Sequence, residues 1–144
     1  MKSKLVWAAE RTFVLVLDPG DEVLAAITRF AIENELQAAS LTAIGAFERA
    51  TVGWFDLRRR AYRPIAIDEQ CEALSLIGDI AMGDDRVPTL HAHAVLGLSD
   101  GGTRGGHLLR AIVRPTLEVT LVETPAHLRR RRRPELGLAL IDLA

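Results

Sequence analysis

Cysteine is almost missing from this sequence: Cys71 is the only one in 144 residues. That excludes an internal disulfide and any structural zinc site built from several thiolates, and it fits a reducing cytoplasm. Aromatic residues make up only 5% of the chain. Trp7, Trp54, Phe55 and Tyr62 are too few and too scattered to form a base-stacking platform, so packing in the core or between subunits is expected of them. No apolar run approaches the roughly 18 residues needed to cross a bilayer. Lys2 and Lys4 are not followed by an apolar stretch with a small-residue cleavage site, so a soluble cytoplasmic protein with no signal peptide and no membrane contact is expected. Charge of one sign is lacking as well. A net charge of −1 and a pI near 6.4 argue against a protein that coats nucleic acid by bulk charge. The glycines of Gly101–Gly106 do not have dinucleotide-fold spacing, no P-loop lysine follows them, and Ser75 sits in no nucleophile elbow.

What is present is ordinary globular material, 49% hydrophobic and 26% charged, enough for one domain spanning residues 1–144. Thr12–Leu17 is short, apolar and β-branched, and reads as a buried strand. Asp18-Pro19 then offers a helix cap with proline at the first helical position. Val23, Leu24, Ile27, Phe30 and Ala31 recur at helical spacing, which predicts one amphipathic helix ending near Glu35. The remainder reads as strand. Ala39–Phe47 and Thr51–Asp56 are separated by a break at Glu48-Arg49, and Tyr62–Ile67 carries Pro64, a mark of an edge or a bulge. In Cys71–Met82 the residues Leu74, Leu76, Ile80 and Met82 are expected on one face. Thr89–Leu98 alternates an apolar set, Leu90, Ala92, Ala94, Leu96 and Leu98, with a second face bearing His91 and His93. Beyond the turn at Ser99–Gly102, separate strands are expected from Gly105 to Val113, from Thr116 to Glu123 and from Gly137 to Leu143. The predicted class is α+β: about seven to eight mostly antiparallel strands in a sheet packed with one main helix, in two layers.

The chemistry concentrates at histidine. Residues two apart on a strand point to one face roughly 6.5–7 Å apart, close enough for His91 and His93 to tilt toward one metal ion. His107 lies beyond the turn, on the segment that folds back beside them, and Gly105-Gly106 permits close backbone approach. Three neutral imidazoles suit zinc first, then another divalent transition metal such as copper, nickel or ferrous iron. Glu72, Asp79 and Glu118 are conceivable further ligands or hydrogen-bonding partners, and Glu72 or Asp79 is the candidate general base. Spacing does not choose among them. His127 is read as structural.

These residues also carry a resemblance. Leu90-His91-Ala92-His93-Ala94-Val95-Leu96-Gly97, Gly105-Gly106-His107-Leu108 and Thr116-Leu117-Glu118-Val119 resemble the PPC (plants-and-prokaryotes conserved) domain. Gly45-Ala46-Phe47, Gly53-Trp54-Phe55-Asp56 and Glu72–Ile80 extend the match over residues 10 to 143, nearly the whole chain. This is the domain that accompanies AT-hooks in plant nuclear proteins and stands alone in many bacteria. The resemblance implies an antiparallel sheet with one helix, assembled as a homotrimer. It also implies a regulatory module labelled DNA-binding by kinship, an analogy of fold and not of a site. The Arg-Gly-Arg-Pro core of the AT-hook is absent, Arg132-Arg133-Pro134 being only an echo of it.

Arg129, Arg130, Arg131, Arg132 and Arg133, with Arg58–Arg60, hold eight of the 18 basic residues. The run is a candidate contact for anions or DNA phosphates, although consecutive arginines on a strand point to both faces. Two functions therefore stand side by side: an oligomeric regulatory module with a three-histidine metal site, and a metal-dependent enzyme or small-ligand binder using a zinc-bound water there.

Overall fold

The computed structural model describes residues 1–7, 11–124 and 129–142, with only the backbone of residues 2–7; the Trp7 side chain and His127 lie outside the described residues. Strand β1 (Lys2–Trp7) pairs antiparallel with β2 (Thr12–Leu17). In β2 the buried side chains alternate as Phe13, Leu15 and Leu17, the period-2 pattern of a strand with one face in the core. Helix α1 (Val23–Glu33) buries Val23, Ala26, Ile27, Phe30 and Ala31, and Phe30 meets Phe13 edge-on at 5.1 Å between ring centroids.

The helix begins later than the sequence predicts. Its cap is Glu22, whose carboxylate accepts from the Ala25 N–H at 2.8 Å, and not Asp18. Gly20 at φ +91° turns the chain out of helical geometry, so Asp18–Asp21 closes as a turn with the Asp21 N–H donating to the Asp18 carbonyl. At the other end the helix stops at Glu33. Glu35 takes a left-handed φ of +54°, its N–H donates to Ile32, and the Leu36 N–H reaches back to Ala31. These are the paired bonds of a Schellman cap, with a buried Leu36 as its apolar contact.

Two expected breaks are not breaks. Strand β3 runs unbroken over Ala38–Asp56, with a register shift between Phe47 and Arg49 where a gap was expected. Strand β7 runs over Thr103–Glu123 and includes Pro115. Arg114, Pro115 and Thr116 fall in the gap between the pairs Gly45↔Leu117 and Phe47↔Val113, so proline's missing N–H removes no ladder bond there. These mergers, with β1 and the arginine run added as strands, give nine strands in one sheet among the described residues.

Strand β4 (Ala61–Ile67) pairs only with β3 and sets Pro64 opposite Gly53, the edge placement its proline indicates. Strands β3, β5 (Cys71–Met82), β6 (Pro88–Gly97) and β7 pair in a closed circuit, each antiparallel to its neighbours. Inside it lie Phe47, Leu76, Ala92, Ala94, Leu96 and Leu108, and α1 packs along β6 and β7. Strand β5 changes phase on the way. A register shift between Ala73 and Ser75 keeps Cys71, Ala73, Leu76 and Ile80 inside and turns Leu74 out, against the expectation that Leu74 and Leu76 share a face. Finally β8 (Arg129–Arg133) and β9 (Leu138–Asp142) form a hairpin, joined to β5 through the single parallel pair Met82↔Arg129.

Candidate metal centre

Ala92 and Ala94 on β6 are buried, which commits His91 and His93 to the outer face of the strand. The two ladders flanking β6 then supply their neighbours by register. On one side His93 stands opposite His107 of β7; on the other His91 stands opposite Asp79 of β5. Ring centroids lie 5.1 Å apart for His91 and His93, 4.9 Å for His91 and His107, and 5.3 Å for His93 and His107. One ring nitrogen from each lies within 4.8 Å of the other two. A tetrahedral set with bonds of about 2.1 Å holds its nitrogens about 3.4 Å apart, so small side-chain rotations bring the three onto one ion.

Close backbone approach makes room for this. A Cβ on Gly106 would lie 2.6 Å from the Gly53 carbonyl oxygen, so only glycine lets β7 come this near β3 just before His107. Gly53 acts a second time. It faces His107 on one side and Pro64 on the other, and its missing side chain leaves space for Tyr62 to lie across it. The Tyr62 ring stacks on His107 at 4.5 Å with 20° between planes. No local pattern marks Tyr62 out from the other scattered aromatics, because its reach depends on a glycine on another strand.

On the far side stands Arg130. The run alternates across β8, and Arg130 is the member turned inward, 8% exposed. Its Nη2 donates to Asp79 Oδ1 at 2.6 Å and lies 3.1 Å from His91 Nδ1, while Asp79 Oδ2 lies 3.7 Å from the same nitrogen. The others are exposed: Arg131 and Arg133 pair with Asp142, and the backbone N–H of Arg132 donates to Asp84. Arg130 is thus set apart from the rest of the run by its burial.

The protonation states follow. Burial, then the nearby His91, His93 and Arg130, pull the His107 pKa down to about 4. Burial and His91 lower His93 too. Burial alone would raise Asp79, but the nearby His91 and the hydrogen-bonded Arg130 guanidinium outweigh it and hold the carboxyl below its usual range. At neutral pH His93 and His107 thus stand as neutral imidazoles beside the ionised Asp79, the state in which such groups bind a metal ion. His107 Nδ1 is buried with no hydrogen-bond partner, an unmet demand that an ion at that nitrogen would satisfy. The donor set fits a three-histidine centre.

Glu72 is not part of it. It lies at the other end of β5, about 23 Å of strand from Asp79 at about 3.3 Å per residue. There it lines a cavity of about 450 Å³ with Ile44, Leu74 and Glu118.

Among the described residues, nine strands, one helix and three histidines on the outer face of a strand circuit define an α+β domain with a candidate metal centre. The chain belongs to the Plants and Prokaryotes Conserved (PCC, or PPC) domain family, whose model matches residues 6–125. It is similar to a Pyrococcus horikoshii plant- and prokaryote-conserved protein, at 30% identity over 93% of this chain and 92% of that one, with a TM-score of 0.87. It is also similar to an Archaeoglobus fulgidus protein described as metal-containing, 34% identical over 90% of this chain and 91% of that one, with a TM-score of 0.84. A Bacteroides thetaiotaomicron protein described as a "putative dna binding protein" is 28% identical over 91% of both chains, with a TM-score of 0.86. No curated protein matches the sequence.

Proposed function

We propose that residues 1–144 form one PPC domain that holds a divalent transition metal ion, zinc by preference, on His91, His93 and His107. In this reading it serves as a cytoplasmic homotrimeric regulatory module that associates with DNA. The observation that carries the metal reading is the convergence of three ring nitrogens, one from each histidine, within 4.8 Å; a buried nitrogen of His107 without a hydrogen-bond partner supports it. The Archaeoglobus relative described as metal-containing supports it. DNA enters through the Bacteroides relative's description.

Assembly is supported by the outer face of β3, β5 and β6, where Ile44, Leu74, Ile77 and Val95 are 61%, 53%, 56% and 44% exposed. Ile44 and Leu74 line one cavity and Ile77 pairs with His93, so these residues form an apolar surface that other copies of the chain would cover.

The enzyme reading has less support. A general base must be free to take a proton, and Asp79 is tied to Arg130 and held below the usual carboxylate range. Glu72 is far along the strand. What a bound ion would supply there is Lewis acidity.

Elemental analysis of the purified oligomer tests the proposal. About one transition-metal ion per chain is expected, falling to background in His91→Ala. Metal-free protein, or a metal content unchanged by the substitution, would overturn it.

A further inference from the structure

Among the described residues strand β8 makes one ladder pair with β5, Met82↔Arg129, at the residue where β5 ends. The turn between β5 and β6 follows. It is fixed by bonds from the Gly83 N–H to Val87 and from the Arg86 N–H to Gly83, with Arg86 at φ +62°. Between turn and strand lies a cleft of about 660 Å³ whose lining includes Gln37, Asp84, Arg86, Arg129, Arg130 and Arg131.

Four arginines and one aspartate are among the residues that line it. Asp84 is already engaged by the Arg132 N–H at 3.0 Å, and Arg131 leans to Asp142 at 3.1 Å. Arg86 and Arg129 make no ion pair among the described residues. Arg130 is the independent observation: it lines the cleft, is 8% exposed, and its Nε is buried with no hydrogen-bond partner. Its charge is met by Asp79 on the histidine side, but a buried guanidinium N–H with no acceptor is costly unless a further acceptor meets it.

We propose that this cleft binds a phosphate group, through the forked donors of Arg86, Arg129 and Arg130. Guanidinium forks match the oxygens of phosphate, and several around one cleft suit its multiple charge better than the single charge of a carboxylate. The volume falls in the range of about 300–1,000 Å³ of small-molecule sites, so the group belongs to a phosphorylated small molecule or to a short stretch of nucleic-acid backbone. The site does not depend on the DNA reading above. Arg130 forms the wall between the cleft and His91, so the two sites stand back to back.

The test titrates the purified protein with inorganic pyrophosphate by calorimetry and with a fluorescent DNA duplex by anisotropy, each at about 50 and about 200 mM salt. Pyrophosphate is expected to bind, and its affinity to fall about 10-fold or more in Arg129→Gln and in Arg86→Asn. Arg58→Gln, which removes equal charge from the separate loop with Arg59 and Arg63, is expected to bind as the parent does. Asparagine accepts a positive φ, so Arg86→Asn keeps the test valid if Arg129→Gln fails to fold. A duplex that binds with the same residue dependence makes nucleic-acid backbone the source of the phosphate. Pyrophosphate binding without duplex binding makes it a phosphorylated small molecule. No pyrophosphate binding at the lower salt overturns the site, as does an equal loss in Arg58→Gln. A loss in His93→Ala with the arginine variants unaffected would put the anion at the histidines and overturn it too.

Discussion

At one end of β5, Asp79 faces His91 across the ladder and is gripped by Arg130; at the other, Glu72 faces Gly97 and shares a shallow cavity with Glu118. Both ends present a carboxylate on a strand, beside a cavity or cleft. The difference lies in what the neighbouring strands supply. Around Asp79 they bring two imidazoles, a buried guanidinium and, one strand further, a tyrosine stacked on the third imidazole. Around Glu72 stand Ile44 of β3 and Leu74 of β5 itself, exposed and apolar, and the side chains of Glu72 and Glu118 make no hydrogen bond or ion pair among the described residues. A carboxylate joins a site when register sets donors opposite it. A carboxylate among exposed apolar side chains marks the rim of a contact surface instead.

The largest effect expected of this contrast is on metal affinity. His107→Ala removes one of three ligands and should weaken zinc binding by about 100-fold or more in competition with a chromophoric chelator. Glu72→Ala should leave it within about twofold, since that side chain is remote from the ion. Comparable losses in both would erase the distinction between the two ends of β5.

Acidity is the next lever, applied to the metal-free protein. The unfolded chain protonates His107 near pH 6.5, while the folded chain does so at about 4. Between those values the unfolded state holds one proton more, so stability falls as pH falls through that window and has lost the whole contribution below it. The expected loss is up to about 3 kcal/mol, read from urea unfolding at several pH values. His107→Gln should flatten the slope; an unchanged slope would mean that His107 is not buried neutral.

Asp79→Asn follows in size. It keeps the shape of the side chain and removes the charge that Arg130 and His91 share, so zinc affinity should drop by about 10–100-fold. Glu72→Gln is the matched control and should do nothing. Because Arg130 would then sit buried beside a neutral amide, the variant should also melt earlier, which differential scanning would show.

Much of this was legible in the sequence, for reasons that particular residues make plain. The period-2 alternation of Ala92 and Ala94 against His91 and His93 fixes both the strand and the face of the histidines, because burial of alanine leaves no choice of side. His107 was within reach because a turn and a glycine pair lead into it. Burial also explains Cys71, which packs inside as a small hydrophobe, its thiol pushed up in pKa by burial and then by Glu69. The failures are of another kind. Spacing cannot show that a bulge carries β3 through Glu48-Arg49 or turns Leu74 outward, since a bulge adds one residue and inverts the phase beyond it. Nor can it separate Asp79 from Glu72, seven positions apart on the same strand, without the register of β6. Tyr62 and the inward turn of Arg130 depend on contacts between strands distant in the chain.

A smaller cost, about 1 kcal/mol or somewhat more, is expected for Gly53→Ala. The added Cβ would lie 2.9 Å from Tyr62 Cδ1 and 3.1 Å from Leu109, and the tyrosine is the neighbour that can move. Its ring would leave His107, so tyrosine fluorescence and the zinc affinity should change together while the strand pairing survives. A variant that weakened zinc with Tyr62 still stacked would show that the stacking does not position the ligand.

The smallest effect on the folded chain should come from the apolar end of β5. Leu74 is 53% exposed in the single chain, so Leu74→Ser removes little buried area and should change the unfolding free energy by less than about 0.5 kcal/mol under conditions that keep chains apart. In an assembly the same side chain would be covered, and its loss would then be felt between copies and not within one. Light scattering across a dilution series should therefore show a lower mass for the variant, with far-ultraviolet dichroism unchanged. If parent and variant kept the same mass at every concentration, the exposed leucine would not be a contact between copies, and the two ends of β5 would differ only in whether their carboxylate found a partner.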